Sequence, residues 1–254
     1  MATGIRQPGE FCWINMLTPR PGEAREFFGA LFGWTFMEIP QGHIIKVGGH
    51  LVGGMFDLNG PGTPPGLPPV IGVMVKVENA DATCQRAIHL GGTVKPAFDI
   101  GDQGRMAECF DPCGAEFDLW QPGRNPGTDA DSSAHGAPSW YEALTTDVGK
   151  ASRFYESLFG WTSESTPMGG FTYTVFKLGE VPVAGMMPIL PEMGQFPAHW
   201  ITYFTVDDVD ATVSQAVARG GSVVMPPQDA QGVGRFCGLR SPQGVMFWTI
   251  KYAN

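Results

Sequence analysis

Hydrophobic and polar positions alternate in short runs along this chain, and glycine or proline bounds each run. Glu10 to Leu17 alternates with a period of two, which predicts a strand. Glu23 to Phe32 repeats its apolar residues at helical spacing, and Gly33 follows as a stop. Further strands are predicted at Trp34 to Ile39, His43 to Val47 and His50 to Phe56. The first predicted unit therefore has the order β-α-β-β-β.

The same order is predicted three more times. The second unit runs from Val70 to Trp120, the third from Trp140 to Pro188, and the fourth from His199 to Tyr252. One of their strands, Val94 to Phe98, is expected to be short, and another is predicted at Ser222 to Pro226. Segments rich in Gly and Pro link the units, at Asn59 to Pro69 and at Gln121 to Ser139.

A sequence repeat divides the chain in two. FFGALFGWTF begins at Phe27 and FYESLFGWTS begins at Phe154, 127 positions later; Trp13 and Trp140 are separated by the same distance. A period of this length indicates a duplicated domain, because solenoid repeats are far shorter. We predict modules over residues 1–124 and 137–254, with a linker at 125–136. The class is α+β, with helices covering one face of each sheet and the other face lining a cup.

Composition narrows the class of protein. The chain has 254 residues, 43% hydrophobic and 16% charged, which is typical of a globular protein. A net charge of −9 without a basic cluster argues against nucleic acid as a partner. No apolar run is long enough to span a membrane, so no membrane partner is expected. Five cysteines without a CxxC pair, and no signal-peptide pattern in MATGIRQPGEF, predict a cytoplasmic protein with small, buried thiols.

These features together resemble the vicinal oxygen chelate superfamily, which contains glyoxalase I, bleomycin-resistance proteins and extradiol dioxygenases. The motifs are the doubled LFGW, a VxxxDA sequence before a helix that ends in Gly-Gly, and DPCG or SPQG before a last strand. The resemblance covers nearly the whole chain. It implies tandem glyoxalase-like modules, in which four βαβββ units form two cupped mixed sheets with helices outside.

The resemblance also implies a divalent metal, held by His, Gln and Glu side chains at strand ends. The aligned first-strand positions carry Trp13 and Trp140, and the aligned positions of the second units carry Gly72 and Ile201. The aligned last-strand positions carry Asp118 and Trp248, of which Asp118 alone is a metal ligand. We therefore predict no metal ligands at the family positions and no cofactor. A displaced metal site that includes His199 and Glu142 stays an open alternative.

Strand alternation selects the side chains that face each cup. Aromatic walls with a few polar groups are typical of pockets for small molecules. The residues predicted to contact a ligand are Trp13, Asn15, Glu116, Trp140, His199, Tyr203 and Trp248, and the candidate catalytic residues are Glu142 and Asp118.

Six of these residues also have a plainer interpretation. Glu142 is a general base if it is desolvated, and otherwise a solvated strand residue or the partner of an arginine. Glu116 and Asp118 share a face and could perform acid-base work or bind a cation together with water, or could form exposed salt bridges. Trp140 and Trp248 could stack on a ligand or simply pack in the core, and Asn15 could orient a ligand carbonyl or make a structural hydrogen bond.

The predicted partner is a small hydrophobic or aromatic molecule, bound without the usual metal. The alternative is a metal-dependent or acid-base enzyme of lyase, isomerase or dioxygenase type that uses Glu142 or Asp118. Monomer and homodimer are both compatible with the sequence, because two modules in one chain can pair as two single-module chains would.

Overall fold

A computed structural model describes residues 2–61, 63 and 66–253, in two curled sheets. The first sheet contains β1 (Phe11–Thr18), β2 (Thr35–Ile39), β3 (Gly42–Val47), β4 (His50–Asp57), β5 (Val70–Lys76), β6 (Thr93–Val94), β7 (Phe98–Asp99), β8 (Gly104–Phe110) and β9 (Glu116–Pro122). The second contains β10 (Pro138–Thr145), β11 (Thr162–Met168), β12 (Phe171–Leu178), β13 (Val181–Pro188), β14 (His199–Thr205), β15 (Ser222–Ala230), β16 (Gly234–Arg240) and β17 (Met246–Tyr252). The helices are α1 (Pro21–Phe32), α2 (Ala80–His89), α3 (Val148–Phe159) and α4 (Val209–Ala218).

Strand order is the same in both sheets. The first runs β2-β3-β4-β1-β5-β9-β8-β6, with β7 also paired to β8, and the second runs β11-β12-β13-β10-β14-β17-β16-β15. In each sheet the first strand pairs parallel to the fourth and antiparallel to the fifth. The predicted α+β class with tandem glyoxalase-like modules and mixed sheets is confirmed. The module boundaries predicted at 124/125 and 136/137 stay predictions, and residues 1, 62, 64, 65 and 254 lie outside the described residues.

The long helix of each module ends as the sequence predicts. Gly33 and Gly160 follow α1 and α3 with φ of 66° and 70°, and each amide closes the last turn. Glycine adopts this left-handed conformation without a steric cost, which is why LFGW can stop the helix and turn at once into a strand. Asp147 caps the N-terminus of α3 by accepting a hydrogen bond from the amide of Lys150.

The tryptophan of each LFGW motif fastens the two modules together. Trp34 donates its indole N–H to the carbonyl of Gly136 at 2.7 Å, and Trp161 donates to the carbonyl of Gly9 at 2.8 Å. Both acceptors lie just before the first strand of the opposite module, and they too are 127 positions apart. The repeated motif is therefore an intermodule contact as well as a helix stop.

One hydrophobic core joins both modules. Phe11 of β1 stacks on Tyr141 of β10 with ring centroids 4.1 Å apart, and Phe28 of α1 packs against Phe247 of β17. Helix α1 contacts α4, and α2 contacts α3. The helices therefore cover the outer faces of the sheets, as expected, and are also buried between the modules.

Two short strands differ from the prediction. The single strand predicted over Val94 to Phe98 is instead two separate two-residue strands, β6 and β7, on either side of Pro96, which has no amide hydrogen for a ladder. The other strand extends beyond Pro226 to Ala230, because β15 is an edge strand and a register irregularity accommodates the prolines. None of the described helices is long and apolar enough to cross a membrane.

Candidate functional site

The concave face of the second sheet, which we call the second cup, carries aromatic residues from three adjacent strands. Trp140 lies opposite Tyr203, and Tyr203 lies beside Trp248. Ile201 and Met246 belong to the same cluster, which is separate from the intermodule core. The alternation of β10, β14 and β17 is what places these side chains together, as predicted.

Glu142 lies in this cup, opposite Ile201, and is only 6% exposed. Tyr173 donates its hydroxyl hydrogen to Glu142 Oε2 at 2.6 Å, and Tyr203 donates to Oε1 at 3.2 Å. The indole N–H of Trp140 donates in turn to the Tyr173 oxygen at 3.1 Å. The interpretation of Glu142 as a solvated residue or a partner of arginine is wrong; it is a buried carboxyl between two phenols.

Gly185 makes this network sterically feasible. A Cβ at that position would lie 2.7 Å from Tyr173 Cζ and 2.9 Å from Trp140 Nε1, which is closer than such atoms approach in proteins. The φ angle of Gly185 is not positive, so its backbone does not itself demand glycine. The missing side chain instead leaves the space through which Tyr173 reaches across β13 to Glu142.

Burial raises the pKa of Glu142 above its ordinary value, and the hydrogen bonds from Tyr173 and Tyr203 partly oppose that rise. The protonated carboxyl is consequently favoured relative to a solvated glutamate. Such a group can donate a proton or accept one, depending on the pH and on what approaches it.

A groove of about 470 Å³ adjoins the second cup at the beginning of β10. Its wall includes Trp140, Tyr252 and Val181, and the N-terminal segment contributes Arg6 and Glu10. Trp140 thus lies between the groove and the network around Glu142. Tyr252 is fixed by a 3.1 Å hydrogen bond from its hydroxyl to Ser139 Oγ.

The concave face of the first sheet, the first cup, has a different chemistry. Trp13, Met74 and Trp120 form its hydrophobic wall. Asp118 lies beside Met74 and is 8% exposed, and the Asn15 amide contacts Asp118 Oδ2 at 3.5 Å. Burial, and then the neighbouring charges of Glu116 and Glu108, raise the pKa of Asp118 from 3.8 to about 8.

The predicted site residues thus fall into two groups, one in each cup. Neither Glu116 nor Asp118 forms a salt bridge within the described part of the chain, so that interpretation is wrong for both. Glu116 is exposed, whereas Asp118 is buried. His199 lies on the face of the second cup opposite Leu144, and its Nδ1 contacts the carbonyl of Pro197 at 2.8 Å. The roles predicted for these residues in binding or catalysis stay predictions.

Tyr173 and Gly185 were missed from the sequence. Strand alternation places Tyr173 on the same face as Val175, and Val175 pairs with Gly185. A signal was present, because a glycine inside a strand often marks a place where another group approaches closely. Identifying Tyr173 as the group that passes Gly185 required the register between β12 and β13, which the sequence does not specify.

The side chains in the cups do not fit a metal site of the kind the fold implies. Glu142 has tyrosines, tryptophans and Ile201 around it, and phenol and indole groups are poor ligands for divalent ions. Across residues 2–61, 63 and 66–253, no three His, Cys, Asp or Glu side chains are grouped so that they could hold a metal ion.

Comparison with known proteins defines the class. Residues 138–249 match the family model of the Glyoxalase/Bleomycin resistance protein/Dioxygenase superfamily. The chain is 39% identical to the putative glyoxylase CFP32 of Mycobacterium tuberculosis over 253 residues, covering 95% of this chain and 94% of that protein. The chain therefore belongs to this superfamily, as the resemblance indicated.

A second relative is the anthracycline biosynthesis protein DnrV of Streptomyces peucetius. It is 32% identical over 260 residues, which cover 96% of this chain and 94% of DnrV. Both relatives therefore match across both modules.

Solved structures share the fold at low sequence identity. The Mn(II)-bound glyoxalase from Novosphingobium aromaticivorans has a TM-score of 0.67 at 14% identity, covering 99% of this chain and 83% of that one. The 2,3-dioxygenase LapB from Pseudomonas sp. KL28 has a TM-score of 0.66 at 12% identity, covering 100% and 94%.

Proposed function

We propose that this protein binds a small, planar organic molecule at the second module, without a metal ion. The main support is a groove of about 470 Å³ whose wall includes Trp140. Trp140 is linked through Tyr173 to the buried carboxyl of Glu142. A volume of this size suits a drug-sized molecule, and mixed aromatic and polar walls are typical of such sites.

The aromatic side chains favour a flat, largely apolar ligand. Trp140 and Tyr252 both line the groove, and indole and phenol rings stack on planar ring systems. The relative DnrV is an anthracycline biosynthesis protein, which supports a polycyclic aromatic ligand. Ser139 and Tyr252 line the groove, and their oxygens, although the hydroxyls already donate within the protein, can each accept a hydrogen bond from a polar group of the ligand.

The matched tryptophans of the two modules provide the test. We would titrate the protein with a dihydroxyanthraquinone, a planar polycycle without an amine, and follow binding by calorimetry. Trp140→Phe should weaken binding by about tenfold, because it removes part of the stacking surface and the N–H that orients Tyr173. Trp13→Phe, the equivalent change in the first module, should leave the affinity unchanged. Equal effects of the two substitutions, or no binding by the wild type, would contradict the proposal.

The absence of a metal is tested separately. Metal analysis of the purified protein should find no stoichiometric Zn, Fe, Mn or Ni. A stoichiometric metal ion would contradict the proposal that binding needs no metal. Its ligands would then be residues other than those described in the two cups.

An acid-base enzyme is the second candidate, and the environment of Glu142 supports it. A buried carboxyl with a raised pKa, held by two phenols, has the properties of a general acid or base. Glu142→Gln keeps the shape but cannot carry a proton. If the variant binds the polycycle as tightly as the wild type and no longer converts it to product, as followed by mass spectrometry, the enzyme is favoured. If neither protein converts the polycycle, binding alone remains as the function.

A further inference from the structure

We propose that the ligand of the groove beside the second cup is a planar aromatic acid, and that Arg6 pairs with its carboxylate. The rings of the ligand lie against Trp140 and Tyr252, and the carboxylate lies at the N-terminal segment. This assignment rests on the proposed function, because it concerns the ligand of the same groove. It adds a charged contact that the aromatic walls alone do not require.

Arg6 is a buried cation in the wall of the groove, with an exposed fraction of only 5%. Its guanidinium donates to two backbone carbonyls, that of Gly4 at 2.6 Å and that of Ala130 at 2.7 Å. A guanidinium has five N–H donors, so three remain for other partners within the described residues. No carboxylate in the described part of the chain forms an ion pair with it. Arginine is seldom this buried without such a partner.

Lys76 adds a second buried positive charge next to Arg6. Its Nζ donates to the carbonyl of Arg6 at 2.7 Å and to that of Pro126 at 3.0 Å, and the residue is 9% exposed. Both cations are held by backbone carbonyls, which carry no net charge, in a chain whose net charge is −9. The electrostatic potential at this end of the groove therefore favours an anion.

Two carboxylates lie close to this end of the groove, and both are held by other donors. Glu10 lines the groove, and its Oε2 accepts a hydrogen bond from the amide of Gln7. Asp131 accepts from the amide and the hydroxyl of Ser133, at 2.8 and 2.7 Å. Asp131 is exposed and Glu10 is half-buried, so water screens their charges more than that of Arg6. The charge of Arg6 is thus left for a ligand.

Tyr141 shows that the charge of Arg6 acts at the groove wall. Tyr141 lines the same groove, and burial raises the pKa of its hydroxyl while the positive charge of Arg6 partly opposes that rise. A phenol that keeps its proton is a hydrogen-bond donor. A carboxylate at this place can therefore accept from the Tyr141 hydroxyl as well as from the guanidinium.

The internal repeat gives Arg6 no counterpart in the other module. Gly9 and Gly136 are equivalent, since each accepts the indole N–H of an LFGW tryptophan. Arg6 lies three positions before Gly9, and the residue three positions before Gly136 is Ser133. The intermodule contact is therefore made in both modules, whereas the buried arginine belongs to the groove.

Together these groups select a monoanion with a planar head group. The fork of a guanidinium matches the two oxygens of a carboxylate. One arginine balances one charge, and Glu10 in the same wall disfavours the second charge of a phosphate monoester. Val181 and Val233 are half-exposed at the groove and give the rings of the ligand an apolar rim.

The test compares three anthraquinones that differ in one substituent: the 2-carboxylate, its neutral 2-carboxamide and the cationic 2-aminomethyl compound. Calorimetry on the wild-type chain should give an affinity for the carboxylate about tenfold or more above that for the carboxamide, because a charged hydrogen-bonded pair is gained. The amine should bind most weakly, since it meets the charge of Arg6. This comparison needs no substitution, so it stands even if a variant at Arg6 does not fold.

Arg6→Gln then identifies the group responsible. It should lower the affinity for the carboxylate to about that of the wild type for the carboxamide. Arg105→Gln is the matched control, because it removes the same charge from an arginine that is paired with Asp81 and Asp99 outside the groove. It should leave the preference for the carboxylate unchanged. In a heteronuclear NMR spectrum, the carboxylate should shift the arginine Nε–H resonance that disappears in Arg6→Gln.

Three results would overturn the assignment and leave the proposed function in place. These are equal affinities of the wild type for the carboxylate and the carboxamide, tightest binding of the amine, and an undiminished preference for the carboxylate in Arg6→Gln that circular dichroism shows to be folded. The proposed function fails differently. In that case none of the three anthraquinones binds, or Trp140→Phe weakens the binding of none of them, and the assignment of the carboxylate to Arg6 falls with it.

Discussion

The two cups are built on the same scaffold, and each contains a buried carboxyl in a different environment. Position 15 in the first module is asparagine and the equivalent position 142 in the second is glutamate, 127 residues later. The carboxyl of the second cup is enclosed by two phenols that donate to it. The carboxyl of the first cup, Asp118, has a single long contact with Asn15 and two acidic neighbours. Duplication therefore preserved the fold while the concave faces diverged.

This contrast separates the residues that hold the two modules together from the residues that differ between the cups. Features that repeat at 127 positions, such as Trp34 with Trp161 and Gly9 with Gly136, belong to the intermodule contact. Features that do not repeat, such as Tyr173 and Asp118, lie on the concave faces. A difference between duplicated modules is consequently a better indicator of function here than the repeat itself.

The largest difference between the two cups should appear in how their buried carboxyls make the stability of the protein depend on pH. Folding raises the pKa of Asp118 from 3.8 to about 8, so the native state holds a proton that the unfolded state has lost. The contribution of this carboxyl to stability is full below about pH 4 and is lost as pH rises to 8, by up to about 1.4 kcal/mol per pH unit. Asp118→Asn should remove this decline and make the protein relatively more stable at pH 8, as measured by urea unfolding from pH 5 to 8.

Glu142→Gln is the matched change in the second cup. Its effect should have the same sign, because burial also raises the pKa of Glu142. It should be smaller, since the two tyrosine hydroxyls stabilise the carboxylate and Asp118 has no comparable donors. An unfolding free energy of Asp118→Asn that falls with pH as steeply as that of the wild type would contradict this account.

Filling the space above Gly185 with a side chain should have the next largest effect on stability. A Cβ there would displace Tyr173 and Trp140, so Gly185→Ala should destabilise the protein by about 2 kcal/mol through overpacking. Gly72→Ala is the control in the first cup. Its Cβ would lie 3.6 Å from the nearest atom, the carbonyl oxygen of Asn15, and the change should be nearly neutral. Chemical denaturation measures both, and equal losses would show that the second cup is no more tightly filled than the first.

The sequence predicted the fold better than the sites, and the reason is physical. Helix spacing and glycine stops are local signals, so α1, α3 and the doubled LFGW could be read directly. Glu142 was identified by alternation, but its burial depends on Tyr173, a residue two strands away in the sheet. The hydrogen bond from the indole N–H of Trp140 to Tyr173 likewise becomes visible only once the register of β12 and β13 is known. Contacts across strands depend on register, which alternation alone leaves undetermined.

Substitution of the intermodule tryptophans, Trp34 and Trp161, should have the smallest effect on stability. The effect should be similar in the two modules. Trp34→Phe and Trp161→Phe each remove an indole N–H and leave a carbonyl, of Gly136 or Gly9, without its donor. Each should cost about 1–2 kcal/mol beyond the loss of ring volume. Trp13→Phe is the control for ring volume, because Trp13 is also buried and its N–H has no acceptor within the described chain. In urea unfolding, Trp34→Phe and Trp161→Phe should lose similar amounts, both more than Trp13→Phe. If Trp13→Phe is as destabilising as the other two, the hydrogen bonds to Gly136 and Gly9 do not hold the modules together, and the contact depends on ring packing alone.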